Sequence, residues 1–235
     1  MKKLSLFAGL LLISVSIFSQ QVNDPNAVVR EAKDFTGISV SSSFDVYLSQ
    51  GGTEAVAVSA AEEKFRDRIS VEVKAGILYI GYDSKGLNWG SGNKKLKAYI
   101  SFKQIDKLKI SGACDVFITG VLKADNLVVN QSGASDLKGK VEVNKMTVDL
   151  SGASDITISG TAAQLAVEAS GASDFRGYDL NTETCDARAS GASDIKITVN
   201  KELSANASGA SDIRYRGNGV IRDIKSSGSS SVSKG

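Results

Sequence analysis

Six aspartates, Asp115, Asp136, Asp155, Asp174, Asp194 and Asp212, recur at steps of 18 to 21 residues through the second half of this chain. Carboxylates can act as general acids and bases or as oxygen ligands for a hard cation such as calcium. Each of these six closes the same pentapeptide. Ser-Gly-Ala-Ser-Asp stands at Ser132–Asp136, Ser151–Asp155, Ser170–Asp174, Ser190–Asp194 and Ser208–Asp212, with Cys114 in the second Ser slot at Ser111–Asp115 and a degraded copy at Ser227–Ser231. A catalytic pair of carboxylates needs two unlike environments, one for the acid and one for the base. Six carboxylates in one equivalent slot make a ladder instead. Three readings of the ladder are open: Asp and Ser bonds that cap each corner through neighbouring backbone amides, calcium held between rungs to relieve carboxylate repulsion, and catalysis. The calcium β-roll carries a Gly-Gly-x-Gly-x-Asp nonapeptide, and these repeats are twice as long with one Asp each. The structural reading is therefore preferred, with no catalytic residue, metal or cofactor assigned.

The absence of His narrows the chemistry further. It removes Ser-His-Asp and Cys-His catalysis, His-ligated zinc and the commonest general base. Any enzyme here would have to work with carboxylates, as a polysaccharide hydrolase or lyase would.

The elements that must position the aspartates follow from the residues around them. One, three and five positions before the first Ser stand Leu150, Val148 and Met146, or Ala169, Val167 and Leu165, with Asp149 and Glu168 between. This alternation marks a strand with one buried face. After the Asp come apolar Val116, Leu137, Ile156, Phe175, Ile195 and Ile213, so a second strand follows the corner. A Gly (Gly120, Gly139, Gly160, Gly177 or Gly217) then ends that strand, and a short variable linker leads to the next copy. Every copy enters its corner in the same direction, so successive copies stack as parallel strands about 4.8 Å apart. A period near 20 without helical patterning specifies a solenoid. The fold expected is all-β, a right-handed parallel β-helix over residues 105–235, right-handed crossover being the rule, with an N-terminal β-rich section over 21–104 continuous with it. Its inward positions include Leu127, Met146, Ile156, Leu165, Ile195 and Leu203.

The N-terminal section carries strand patterns at Phe35–Val40, Phe44–Leu48, Val56–Val58 and Leu96–Phe102. Val71–Val73 and Ile77–Ile80 read as a hairpin turned at Lys74-Ala75-Gly76, and Ala60–Arg68 as room for a short helix. Lys85–Lys95 is a Gly/Ser/Asn/Lys loop around the sole Trp. Trp89, Asn88 and Lys94 form the candidate contact surface. The competing reading folds Trp89 back to cap the end of the solenoid, and leaves Lys94, Lys95 and Lys97 as a solvated face.

Residues 1–20 read as a secretory leader, with Lys2 and Lys3 before an apolar run from Leu4 to Phe18. The run is too short for a comfortable membrane span. Its removal takes two positive charges from a chain of net +2, leaving about 215 residues of net charge zero. Neutrality argues against nucleic acid or an anionic membrane as partner. Cys114 and Cys185 lie three to four rungs apart, roughly 15–18 Å, whereas a disulfide needs Cα atoms within about 7 Å. Both are expected as buried free thiols.

The order Phe35–Val40, Ser42–Gly51, Gly76–Ile80, Lys97–Ser101 and Ile105–Gly120, running into Ser111-Gly112-Ala113-Cys114-Asp115-Val116, resembles the head GIN family of auto-transporter adhesin-like exported domains. The resemblance covers nearly all of the chain after the leader. It implies a parallel β-helix with an N-terminal β section and a role in adhesion, and it supplies no catalytic residues to carry over. The function expected is that of a non-enzymatic exported solenoid, located in the periplasm or at the cell surface, with a surface glycan or an envelope protein as partner. A glycan-active enzyme is the alternative.

Overall fold

The computed structural model describes residues 24–85 and 94–235. The described residues are 67% strand and 2% helix, wound as a β-solenoid of about 7 turns. In chain order the elements are β1 (Val28–Arg30), β2 (Gly37–Val40), β3 (Asp45–Gln50), β4 (Ala55–Ser59), α1 (Glu63–Arg66), β5 (Ile69–Lys74), β6 (Ile77–Tyr82), β7 (Lys97–Phe102) and β8 (Lys107–Ile110). Then come the long segments β9 (Asp115–Gln131), β10 (Asp136–Leu150), β11 (Asp155–Ala169), β12 (Asp174–Ala189) and β13 (Asp194–Gly209), and last β14 (Asp212–Arg216), β15 (Val220–Gly228) and β16 (Ser231–Lys234).

Every neighbouring pair from β9 to β16 is parallel, and the aspartates stand opposite one another, Asp115 on Asp136, Asp136 on Asp155 and so on to Asp212. The expected inward residues Leu127, Met146, Ile156, Leu165, Ile195 and Leu203 are all buried. One difference concerns the path between corners. From β9 to β13 no linker follows the glycine and each segment runs as one strand from its Asp to the next corner, whereas a break at 217–219 separates β14 from β15. Bends appear instead as slips in the inward alternation. In β10 the buried residues are Leu137, then Val141 and Val143, then Met146, Val148 and Leu150. The alternation slips once in this turn, from Val143 to Met146, in addition to the Ser-Gly-Ala-Ser corner. Extra residues are absorbed as bulges beside the glycine of each turn. Turns of equal length, β10 and β11, pair without a shift, whereas unequal ones shift between Lys138 and Lys140 or between Thr157 and Gly160.

The corner is held by its second serine. The Ser135, Ser154, Ser173, Ser193 and Ser211 side chains are buried, and each Oγ donates to the carbonyl three residues back, at 2.7–3.1 Å. A buried hydroxyl costs stability unless it is bonded, and here the strand that brings it inward also supplies its acceptor. Cys114 fills this slot at its own corner, with Sγ 3.4 Å from the Ser111 carbonyl. Cys185 sits in the inward row between Leu165 and Leu203. Both thiols are free and buried, and burial pushes both thiol pKa values up. The protein as purified is expected to show two thiols that react with a maleimide only after denaturation. Labelling of either at native conditions, or an intramolecular disulfide in the intact mass, would contradict this burial.

The N-terminal strands join the coil in an order the chain does not follow. β2 lies between β6 and β8, and β3 between β7 and β9, all in parallel. The chain thus lays down an inner turn first, wraps β6 and β7 outside it, and returns through β8. Antiparallel β4 and β1 cover β7, and β5 covers β6 through the hairpin at Ala75 and Gly76, both with positive φ. Phe65 of α1 is buried in the same core. Asp24 fastens this end. Burial opposes its ionisation, but the Tyr99 hydroxyl at 2.9 Å, the Asn26 N–H, Ser59 and Lys97 together hold its carboxyl below the usual range.

The inner turn has its own corner, Ser41-Ser42-Ser43-Phe44-Asp45, in register with Ser111–Asp115. Ser42 takes the slot that glycine fills elsewhere and has φ +89°, a region that L side chains occupy at a cost of about 1–2 kcal/mol. Ser42→Gly is expected to stabilise the protein by up to about 1 kcal/mol, part of the relief being offset by the freer unfolded chain. A lower urea midpoint for the variant would contradict that.

Candidate functional site

The aspartate row runs along the outward side of the strands that leave the corners. It is longer than the six repeats: Lys97, Asp45 and Asp115 stand opposite one another at its N-terminal end, and Ser231 stands opposite Asp212 at the other. Each Asp donates its backbone N–H to the carbonyl of the turn before, as Asp155 does to Ser135 at 2.9 Å. The carboxylates do not cap amides. Asp136, Asp174 and Asp212 take the cation two residues along their own strand, which strand periodicity places on the same side, and Asp155 and Asp194 take the arginine of the next turn. Arg176 spans Asp155 at 2.8 Å and Asp174 at 2.5 Å, and these carboxylates, Asp155 first, strengthen its hold on its proton. Arg214 spans Asp212 at 2.7 Å and Asp194 at 3.6 Å, and Lys138 reaches Asp136 at 3.2 Å. The Ser231 hydroxyl meets Asp212 at 2.6 Å. Repulsion along the row is thus relieved by side-chain cations, and the corner cap expected of Asp belongs to Ser. Among the described residues, no group of three or more acidic or Cys side chains could hold a metal ion.

At the N-terminal end the row beside the aspartates is aromatic. Tyr47 stacks between Tyr99, with ring centroids 5.2 Å apart, and Phe117, at 5.5 Å. Stacked aromatic pairs across strands stabilise the sheet beyond their buried area. The adjoining hollow is lined by Ser43, Asp45, Lys94, Lys95, Leu96, Lys97 and Ala113. Lys94 is half-buried, its ammonium 5.7 Å above the Tyr82 ring and its carbonyl accepting from Ala61 N–H. Trp89 and Asn88 lie outside the described residues. The structure therefore brings Lys94 to the same corner face as Asp45 and Asp115.

A family model described as "Putative auto-transporter adhesin, head GIN domain" matches residues 34–219. The chain belongs to this family. The crystal structure of a putative adhesin from Bacteroides fragilis is 22% identical over 90% of this chain and 98% of its own, with a TM-score of 0.82. A protein from Parabacteroides distasonis titled putative lipid binding protein is 19% identical over 90% and 98%, at 0.66. A putative adhesin from Parabacteroides merdae is 16% identical over 89% and 95%, at 0.63. At these identities the likeness establishes the fold. No curated protein matches the sequence.

Within the head GIN chain, sequence reading missed Asp45, Lys97 and the Tyr47–Tyr99–Phe117 stack as parts of the repeated face. Ser41-Ser42-Ser43-Phe44-Asp45 keeps only the first Ser and the Asp of the repeat, so its one usable signal was the Ser-x-x-x-Asp spacing before an alternating strand. The Arg and Lys residues two positions after the Asp were visible as polar outward positions. Nothing local marked them as the partners of the row.

Proposed function

We propose that this head GIN domain is a non-enzymatic exported solenoid that acts in adhesion or in contacts at the cell envelope. One observation carries the reading: the carboxylates of its outward face occupy a single equivalent register, and Asp136, Asp155, Asp174, Asp194 and Asp212 are matched by cations of that same face. Such a surface is a repeated, charge-compensated pattern suited to presenting a broad contact area. Its described aspartates repeat one slot, unlike the pair of carboxylates in distinct environments that glycoside hydrolysis uses. The family and the fold support adhesion, and the leader of residues 1–20 supports export. The partner is a surface glycan or an envelope protein, with Lys94 and the corner face at the N-terminal end as the contact region; Trp89 and Asn88, outside the described residues, stay candidates from the sequence alone. No helix among the described residues is long and apolar enough to cross a membrane.

The test pairs a glycan and envelope-protein array, probed with the purified chain lacking residues 1–20, with fractionation of the host. Retention on a surface component without turnover is the expected result. Release of new reducing ends or unsaturated sugars, or a wholly cytoplasmic protein, would overturn the reading.

The aspartate row, on this proposal, is structural and metal-free. A chelator is then expected to leave the melting temperature unchanged, because no bound ligand would be lost from the folded state. Asp155→Asn removes one partner of Arg176. Since both side chains are over a third exposed, the cost should stay below about 1 kcal/mol. A chelator-induced fall in melting temperature that added calcium reverses would instead show a metal between the turns.

A further inference from the structure

We infer that the C-terminal face of the solenoid is an interface between two copies of this chain, joined tail to tail by antiparallel pairing of β15. The two ends of the coil are treated unequally. The first turns are covered by β1, β4, β5 and α1, whereas among the described residues nothing lies over β15, which is exposed along its whole length. β15 repeats the inward pattern of the turn it follows. Ile221 stands opposite Leu203 and Ile224 opposite Ala205, both of which are buried. Yet Ile221 is 44% and Ile224 38% exposed. These are core positions of the repeat over which no described residue lies, set on a strand whose outer edge carries the row of unpaired N–H and C=O groups that any open sheet edge presents.

The charges on this strand select the occupant. Asp223 and Lys225 flank Ile224, and both point outward, opposite Ser204 and Asn206. Within one copy they hold each other at 2.9 Å, a pair that a second copy would extend into a four-charge cluster. Parallel, in-register stacking of a second copy would set Asp223 on Asp223 and Lys225 on Lys225, like on like. A two-fold axis through Ile224 makes the pairing antiparallel. It places Asp223 opposite Lys225 of the second copy twice over, and brings the two Ile224 side chains together on the inward side. Opposite charges directly across a strand pair are favourable and like charges are not. An isologous contact of this kind closes at two copies and makes the two cores continuous. Head-to-tail growth is blocked by the covered N-terminal end.

The experiment is sedimentation equilibrium of the chain lacking residues 1–20, together with three variants whose circular dichroism and melting are checked first. The wild type is expected to be a dimer. Asp223→Lys and Lys225→Asp should each weaken it by about tenfold or more, since both symmetric pairs turn repulsive. The doubly swapped Asp223→Lys/Lys225→Asp chain should recover the dimer, because opposite charges again meet. A wild-type monomer at all concentrations overturns the inference. So does a dimer indifferent to the single reversals, a swap that fails to restore it, or open-ended assembly in place of a dimer. None of these outcomes depends on whether the adhesion reading holds.

Discussion

Gly152→Ala should remove about 3 kcal/mol or more of stability, although the change adds a single methyl group at an exposed corner. Gly152 has φ +80°, where an L side chain is strained. A Cβ there would also stand 2.5 Å from the Gly133 carbonyl oxygen and 3.0 Å from its nitrogen. Those are backbone atoms, and the same oxygen accepts the Ala153 N–H at 2.8 Å. Relief would require the two turns to part, breaking the corner bond and disturbing the Asp136–Asp155 register beside it. In a solenoid each turn contacts only its neighbours, so one weak interface also reduces cooperativity along the coil. Urea unfolding is the measurement, with exposed Ala153→Ser as the control, expected within about 0.5 kcal/mol of wild type. A Gly152→Ala loss below about 1 kcal/mol would show the corners to be more compliant than their geometry implies.

Phe175→Ala is expected to cost about 3–5 kcal/mol. The ring is fully buried, in register with Ile156 on one turn and Ile195 on the next. A ring fits where neighbouring turns carry isoleucine because Gly177 leaves room. A Cβ on Gly177 would fall 2.5 Å from Phe175 Cε1. Truncation therefore opens a void between rigid, paired strands that cannot collapse onto it. Phe175→Ile, which restores the residue of the adjacent turns, should recover most of the loss and leave a deficit below about 1.5 kcal/mol. If the alanine and isoleucine variants unfold at the same urea concentration, cavity formation is not what governs this site.

The coil itself was legible in the residues because its physics is local and repeated. Alternation at Met146, Val148 and Leu150 specifies one buried face. The corner recurring in one direction specifies parallel stacking, and the hairpin at Ala75-Gly76 follows from its own turn residues. The spacing of Cys114 and Cys185 likewise excluded a bridge by rung count alone. What tertiary structure decided is everything that depends on which turn lies against which. Asp45 stands between Lys97 and Asp115, residues 52 and 70 positions away, because the chain winds β6 and β7 outside β2 and β3 before moving on. No local propensity encodes that reversal, because it consists of pairings between strands far apart in the chain. The same holds for Arg176. Its sequence position assigns it to the outward side, but its hold on two carboxylates arises only when register brings Asp155 within 2.8 Å of its guanidinium. Side-chain periodicity is a property of one strand, whereas charge pairing between turns is a property of the stack.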